Sequence, residues 1–112
     1  MDDMDEPFPY AGPAELKPAI ERALQSVVDP ELAMSIVDVG LVYGVTVRDR
    51  RAHVVVTMTS VACPVADVIV EDIEAELERV IPSEMTIDVE LVWEPAWNAE
   101  RMSAAGKAFM GW

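Results

Sequence analysis

The sequence has 112 residues, of which 52% are apolar, and its 21 acidic and eight basic side chains give a net charge of −13. This length fits a single domain with a thin hydrophobic core. A surface this negative repels phosphate backbones and anionic lipid headgroups, which argues against nucleic acids and membrane surfaces as partners.

The first six residues are acidic apart from two methionines, whereas a secretory signal begins with basic residues followed by an apolar stretch. The sequence contains no run of about 18 apolar residues, so we predict no membrane span. The single cysteine, Cys63, cannot form an intramolecular disulfide, which agrees with a reducing compartment. We therefore predict a cytoplasmic protein.

Residues 1–13 combine acidic side chains with three prolines, and we predict a disordered acidic tail there, followed by one domain over residues 14–112. From Glu15 to Val28 the apolar residues recur at helical spacing, which predicts a first helix. Asp29-Pro30 should end this helix, because the residue before a proline avoids helical conformation. The connection over residues 29–40 is long for a small domain, and such connections are often functional.

Residues 41–48 and 52–59 alternate between apolar and polar side chains around a polar turn, which predicts an antiparallel hairpin. A second helix should follow Cys63 and run to about Val80, with an acidic outer face. Residues 86–93 alternate again and predict a third strand, parallel to the second because a helix joins them, with Trp93 in the core.

A short helix capped by Asn98 should then run to about Met110. The predicted architecture is α+β, in the order α-β-β-α-β-α. It is a two-layer domain in which helices cover mainly one face of a small mixed three-stranded sheet.

Cys63 is the residue at which we expect chemistry. Pro64 suits the first position of a helix, which would place Cys63 at the N-cap, facing free N–H groups and the positive end of the helix dipole. This setting favours the thiolate, the form that binds metals and attacks electrophiles. Thr57 and Thr59 project to one side of the second strand and would line the approach. The alternative is that Cys63 is a small buried core residue, as many free cysteines are.

The one histidine, His53, lies six residues before Thr59 on the same strand, a distance of roughly 20 Å at about 3.3 Å per residue. A Cys–His couple requires a separation near 3 Å. We therefore interpret His53 as a surface residue beside the turn, and the remaining polar candidates are acids. They are Asp29, Glu31, Asp38, Asp67 and Glu94. Asp67 is also explained as an ordinary first-turn acid that the helix dipole favours.

Three stretches together resemble the SufT/PaaD-like metal–sulfur cluster biosynthesis family, which also includes a eukaryotic cytosolic iron–sulfur targeting component. They are DPELAMSIVDVGLVY (29–43), VTMTSVACPVADVI (56–69) and VELVWEPAWNAERMS (89–103). The resemblance covers roughly residues 15–110. It implies a compact iron–sulfur assembly domain that is not an enzyme and that delivers clusters or iron to apo-proteins, or recruits them. Its partners would be the iron–sulfur assembly machinery and apo client proteins.

By this resemblance Cys63 is the functional cysteine and a candidate labile ligand for a transient iron–sulfur cluster or iron; no other cofactor is expected. The supporting positions are Asp29, Glu31, Asp38, Gly40, Thr57 and Thr59, and Asp67 joins them from its place near Cys63. The C-terminal motif is matched by Glu94, Pro95, Trp97, Arg101, Met102 and Ser103. Ala33 stands where the family often has glycine. The cysteine-rich C-terminal segment of PaaD-type members is absent, which favours the SufT-like role.

How Cys63 acts stays open at this stage. One thiolate cannot hold a cluster alone, so one hypothesis is a homodimer that bridges a cluster through Cys63 of each copy. A second is a metal-free adaptor that docks clients through Glu94, Trp97, Arg101 and Met102. A third is a thiol-dependent enzyme, which would need a base near Cys63 where the sequence offers only acids.

Overall fold

The computed structural model describes residues 8–30, 32–59 and 63–111, with residues 63–65 described by their helical backbone alone. The elements, in chain order, are β1 (Tyr10–Ala11), α1 (Lys17–Gln25), β2 (Val28–Asp29), β3 (Met34–Ser35), α2 (Ile36–Val39), β4 (Val42–Arg48), β5 (Arg51–Val56), α3 (Cys63–Glu78), β6 (Thr86–Leu91), a 3-10 turn (Ala99–Arg101) and α4 (Ala104–Met110). The predicted α+β class is confirmed.

The main sheet has the strand order β1-β4-β5-β6. Strands β4 and β5 form the predicted antiparallel hairpin, and Asp49 and Arg50 in its turn adopt φ values of 54° and 62°, as type I′ turns require. Strands β5 and β6 are the predicted parallel neighbours, in register from Arg51 opposite Thr86 to Val56 opposite Leu91. The sheet therefore contains the three predicted strands and one more.

The additional strand is β1, which lies inside the segment that we predicted to be a disordered tail. Tyr10 pairs in parallel with Val45, and Phe8 is buried with 3% of its surface exposed. The prediction was wrong for these residues because two aromatic side chains add apolar area that outweighs the polar composition around them. Pro9 is compatible with the sheet edge because its carbonyl accepts a hydrogen bond from Val45 and no N–H is required of it. Residues 1–7 of the predicted tail lie outside the described residues.

The connection over residues 29–40 is also more structured than the predicted loop. Strands β2 and β3 form a small antiparallel pair, and α2 follows with Ser35 as its N-cap, since the Ser35 hydroxyl accepts a hydrogen bond from the Val37 N–H. Three of the four α2 residues are buried, so this connection carries core of its own. Ala33 has a φ of 55°, a conformation that glycine adopts more easily, and this is where the sequence departs from the family's usual glycine.

The core lies between one face of the sheet and the helices α1 and α3. The buried residues Val45, Val47, Ala52, Val54 and Val56 face this layer. The opposite face presents Thr46, Arg48, Arg51 and His53, which are exposed or half-exposed, as expected of the antiparallel hairpin β4–β5 with one solvated side. A β-bulge between Val42 and Gly44 breaks the uninterrupted alternation predicted for residues 41–48, so that Leu41 and Val42 are both buried.

The C-terminal segment is divided where we predicted one helix. Asn98 caps the 3-10 turn, and Ser103 starts a separate helix, α4, by accepting a hydrogen bond from the Gly106 N–H at 2.9 Å. The chain is extended at Met102 between them because a serine cap favours a new helix start. Trp93 lies after the end of β6 and is 44% exposed, so its predicted place in the core is wrong. Within the described ranges, no helix has the length and apolar character to cross a membrane.

Candidate functional site

The carboxyl ends of β5 and β6 meet at one edge of the sheet, which we call the site edge. There the Thr57 N–H donates to the Leu41 carbonyl at 2.9 Å, and the Val92 N–H donates to the Val56 carbonyl at 2.8 Å. Helix α3 starts on the connection that leaves β5 at this edge, so its N-terminus and Cys63 belong to the same region.

Cys63 is the first residue of α3, one position further into the helix than the predicted N-cap. Pro64 then occupies the second position, which the first turn tolerates equally because its N–H groups have no acceptor within the helix. Helix α3 has 16 residues and no acidic residue in its first turn. The helix dipole therefore favours an anion at this end, and no carboxylate in the first turn repels that anion.

Thr57 lies at the site edge with 1% of its surface exposed. Its Oγ1 is a buried polar atom that has no hydrogen-bond partner among the described residues. Thr59 is half-buried. Both threonines follow the end of β5 at Val56, although the Thr57 N–H continues the pairing by donating to the Leu41 carbonyl. An unpaired hydroxyl in the interior is uncommon in folded proteins, so this one requires an explanation.

The predicted acids separate into different environments. Asp29 is buried, with 2% of its surface exposed, in strand β2, and β2 packs against α3. Its backbone carbonyl accepts hydrogen bonds from the N–H groups of Leu32 and Ala33. Asp67 is exposed on α3 as its fifth residue, beyond the first turn in which it was predicted, and Glu31 lies outside the described residues. Of these acids, Asp29 is thus the one that the structure buries beside the helix of Cys63.

Asp38 is bound into the fold on both of its carboxylate oxygens. Its Oδ1 accepts from the Ser103 hydroxyl at 2.8 Å, and its Oδ2 accepts from the Gln25 amide at 2.9 Å. The Asp38 backbone carbonyl also accepts from the Ser103 N–H at 2.9 Å. These bonds fasten α1 and the start of α4 to α2, which gives Asp38 a structural role near the site edge.

Two glycines allow the same segments to touch at the backbone. Gly40 has a φ of 87°, and a Cβ at this position would collide with the backbone carbonyl of Arg101. A Cβ at Gly106 would lie 2.7 Å from the Asp38 carbonyl oxygen. Gly40 was expected here only from the family resemblance, and Gly106 was not predicted. A glycine inside the predicted C-terminal helix was the available signal for a close backbone approach.

The four residues predicted to dock partners do not form one exposed face. Met102 is buried with 5% of its surface exposed, and Trp97 is half-buried, with its Nε1 donating to the Val39 carbonyl at 2.8 Å. Burial of these two side chains stabilises the fold by removing apolar area from water, and it corrects their assignment to an open surface. Glu94 and Arg101 are exposed, and the Arg101 guanidinium lies over the Tyr43 ring at 4.2 Å.

His53 lies on the solvated face of the sheet, where its Nε2 is 2.9 Å from Glu90 Oε1. Its neighbours in register are Thr46 and Asp88, away from the end of β5 that leads to Cys63. The prediction of a surface strand residue is confirmed. In the parts of the chain that the structure describes, no three or more histidine, cysteine, aspartate or glutamate side chains are grouped to hold a metal ion.

Comparison with known proteins decides the family. The model of the iron-sulfur cluster assembly protein family matches residues 17–90, from the start of α1 to strand β6. The chain belongs to this family. The resemblance on which the sequence analysis relied is therefore confirmed.

Relatives of this iron-sulfur cluster assembly protein match over most of its length. It is 40% identical over 97 residues to the Fe-S protein maturation auxiliary factor YitW of Bacillus subtilis (strain 168), covering 86% of this chain and 94% of that protein. It is 38% identical over 86 residues to the Fe-S protein maturation auxiliary factor SufT of Staphylococcus aureus (strain USA300), covering 76% and 97%. The crystal structure of a domain of unknown function from Bacillus anthracis superposes with a TM-score of 0.79 at 40% identity, covering 87% and 92%.

Proposed function

We propose that this protein is an auxiliary factor in the maturation of iron–sulfur proteins and that it acts through Cys63. Family membership and the two named maturation factors support the role. The observation that carries the site is the position of the chain's single cysteine as the first residue of α3, at the edge where β5 and β6 end. The protein works as a partner of the assembly machinery and of apo client proteins, not as an enzyme, and it works in the cytoplasm.

The chemistry follows from the setting of Cys63. Free N–H groups and the helix dipole favour a thiolate at a helix N-terminus, and a thiolate is the ligand that iron–sulfur clusters use. The cluster is cargo in this scheme. Because one thiolate supplies one of about four cluster ligands, the remaining ligands come from a second chain, either another copy of this protein or the client. A cluster held this way is easily transferred.

Thr57 supplies the second group of the proposed site. Its buried hydroxyl has no partner among the described residues. Thr57 is also the first residue of the connection that leads from β5 to Cys63. A hydroxyl donor stabilises a nearby anionic sulfur, because hydrogen bonds to charged acceptors are stronger than neutral ones. Thr57 therefore serves as a donor to the thiolate or to a cluster sulfide.

Met102 is buried and Trp97 is half-buried, which weakens the metal-free adaptor hypothesis in the form that used the C-terminal motif as its docking face. The thiol-enzyme hypothesis gains no support either, because His53 is engaged with Glu90 on the solvated face of the sheet. A base within hydrogen-bonding distance of the nucleophile is what such an enzyme needs.

The test is genetic complementation in the native host. The gene is deleted and restored as wild type, as Cys63→Ala or as His53→Ala, and iron–sulfur enzymes are assayed beside cluster-free enzymes under iron limitation. We expect the wild type and His53→Ala to restore the iron–sulfur enzymes and Cys63→Ala to fail, with the cluster-free enzymes unchanged. Restoration by Cys63→Ala would keep the maturation role and reject Cys63 as its site.

Anaerobic reconstitution with iron and sulfide separates the two sources of further ligands. A cluster bridging two copies predicts bound iron and sulfide together with a dimer in sedimentation, both lost in Cys63→Ala. Reconstituted protein without bound iron or sulfide would contradict the homodimer and leave the client as the second chain.

A further inference from the structure

A groove lies at the end of the molecule opposite Cys63, between the last turns of α3, the connection after it and the start of β6. Its volume is about 480 Å³, and its lining includes Glu74, Glu78, Ile81, Pro82, Met85 and Ile87. Helix α3 has 16 residues, so its two ends are about 24 Å apart at about 1.5 Å per residue. The groove is therefore separate from the proposed cysteine site.

The groove joins an apolar floor to two carboxylates. Ile81 is buried, Met85 and Ile87 are half-buried, and Glu78 is exposed beside half-buried Glu74. No basic side chain of the described residues lines it, and neither glutamate forms an ion pair within the described part of the chain. A long cationic side chain fits this combination, since its aliphatic stem covers apolar surface while its charged end remains at the carboxylates.

The stability of α3 itself does not explain these carboxylates. Glu74 and Glu78 are four residues apart, a spacing at which like charges repel on a helix surface. They also lie towards the C-terminus, where the helix dipole disfavours negative charge, and the last turn holds no basic residue. A helix that keeps unfavourable charges on an exposed surface gains from a cationic partner.

The acidic surface extends beyond the groove along one side of α3. Asp67, Glu71, Glu74 and Glu78 follow the spacing i, i+4, i+7 and i+11, which places them in one row over about 16 Å. A row of this length fits a segment of a protein better than a small cation. Arginine is the side chain best suited to it, because its planar guanidinium pairs with carboxylates through several donors.

We propose that this groove is a docking site for a basic segment of a partner protein, anchored by an arginine between Glu74 and Glu78 over Ile81, Met85 and Ile87. The segment lies along the acidic row of α3 towards the end that carries Cys63. The site goes beyond the proposed function, because the groove binds its partner without using Cys63.

Fluorescence anisotropy tests the site with the full chain and a labelled helical alanine peptide that carries two arginines four residues apart. We expect saturable binding that weakens as salt is raised, and about a tenfold loss in E74Q/E78Q from the removal of two surface ion pairs. The matched control is D72N/E76Q, which removes two charges at the same spacing from another side of α3. It should change the affinity by less than about twofold, and Cys63→Ala should leave it unchanged.

Several outcomes overturn the proposal. Equal losses in E74Q/E78Q and D72N/E76Q would show attraction by net charge alone, and no measurable binding by the wild type would reject the site. Equal affinity for a peptide with citrulline in place of arginine would exclude recognition of the cation. If spermidine displaced the labelled peptide and bound with the same affinity as the peptide, the groove would be reassigned to a small polycation. Dimerisation in sedimentation that E74Q/E78Q abolishes would reassign it to a second copy of this chain.

Discussion

Thr57→Val separates folding from function at the proposed site. Valine has nearly the shape of threonine, so the substitution removes the buried Oγ1 that has no partner among the described residues and puts a methyl group in its place. An unsatisfied buried polar group costs about 1–3 kcal/mol, and burial of the added methyl contributes up to about 0.8 kcal/mol. We expect the variant to be about 1–2 kcal/mol more stable than the wild type. At roughly 4–8 °C per kcal/mol the melting temperature should rise by several degrees.

The assay is urea unfolding of wild type, Thr57→Val and Thr46→Val, followed by complementation of the deletion strain. Thr46 is exposed on β4, so the same chemical change there should alter stability by less than about 0.5 kcal/mol. We expect Thr57→Val to be stabilised and yet to restore iron–sulfur enzymes poorly. A loss of about 1 kcal/mol in Thr57→Val would refute the reasoning, because it would show that the hydroxyl has a partner in solution.

Three further predictions concern the fold around the site. Gly40→Ala should lower the free energy of unfolding in urea by more than about 2 kcal/mol, because alanine disfavours the left-handed backbone and its Cβ would collide with Arg101. Gly111→Ala, with a φ of 79° and open space around it, should lower that free energy by only about 1 kcal/mol, and equal losses would contradict the close contact. Ser103→Ala removes the cap of α4 and the bond to Asp38, so we expect a loss of about 1–2 kcal/mol in the same assay, and an unchanged midpoint would show that the cap is dispensable. Burial, and then the Glu15 carboxylate, raise the pKa of Tyr10 above 10.0 in the folded protein, against an opposing effect of Lys17. The stability that the neutral phenol contributes is complete below pH 10 and is lost as the pH rises through the folded pKa, so Tyr10→Phe should flatten the alkaline decline in urea midpoints. Parallel declines in the wild type and the variant would exclude Tyr10 as the source.

Local pattern was sufficient to predict the central sheet and the two long helices. Alternation between Ala52 and Val56 sets which side chains of β5 are buried, and the polar turn after Arg48 fixes the hairpin. Proline and the helical spacing of apolar residues were enough to start α3 within one residue of Cys63. These features depend on neighbours in the chain, and the sequence contains such information directly.

The errors came from contacts between distant segments. Tyr10 becomes a strand residue only because β4 offers it a free edge, and nothing in the acidic and proline-rich sequence around it indicates that pairing. Met102 and Trp97 were assigned to a surface because motif resemblance shows which residues recur and not which way they face. Thr57 was expected to line the approach to the cysteine, but the burial of its Oγ1 without a partner among the described residues depends on tertiary packing that no local pattern indicates.

The fastening of the C-terminal segment to α2 has a consequence for synthesis on the ribosome. Asp38 and Ser103 are 65 residues apart in sequence, and Val39 and Trp97 are 58 apart, yet hydrogen bonds join both pairs. The region beside the site edge therefore stays incomplete until residue 103 has left the exit tunnel, even though Cys63 emerges long before. A nascent chain at that stage carries Cys63 on an unfinished surface, and a cluster that bound before residue 103 emerged would meet the proposed site without its final support.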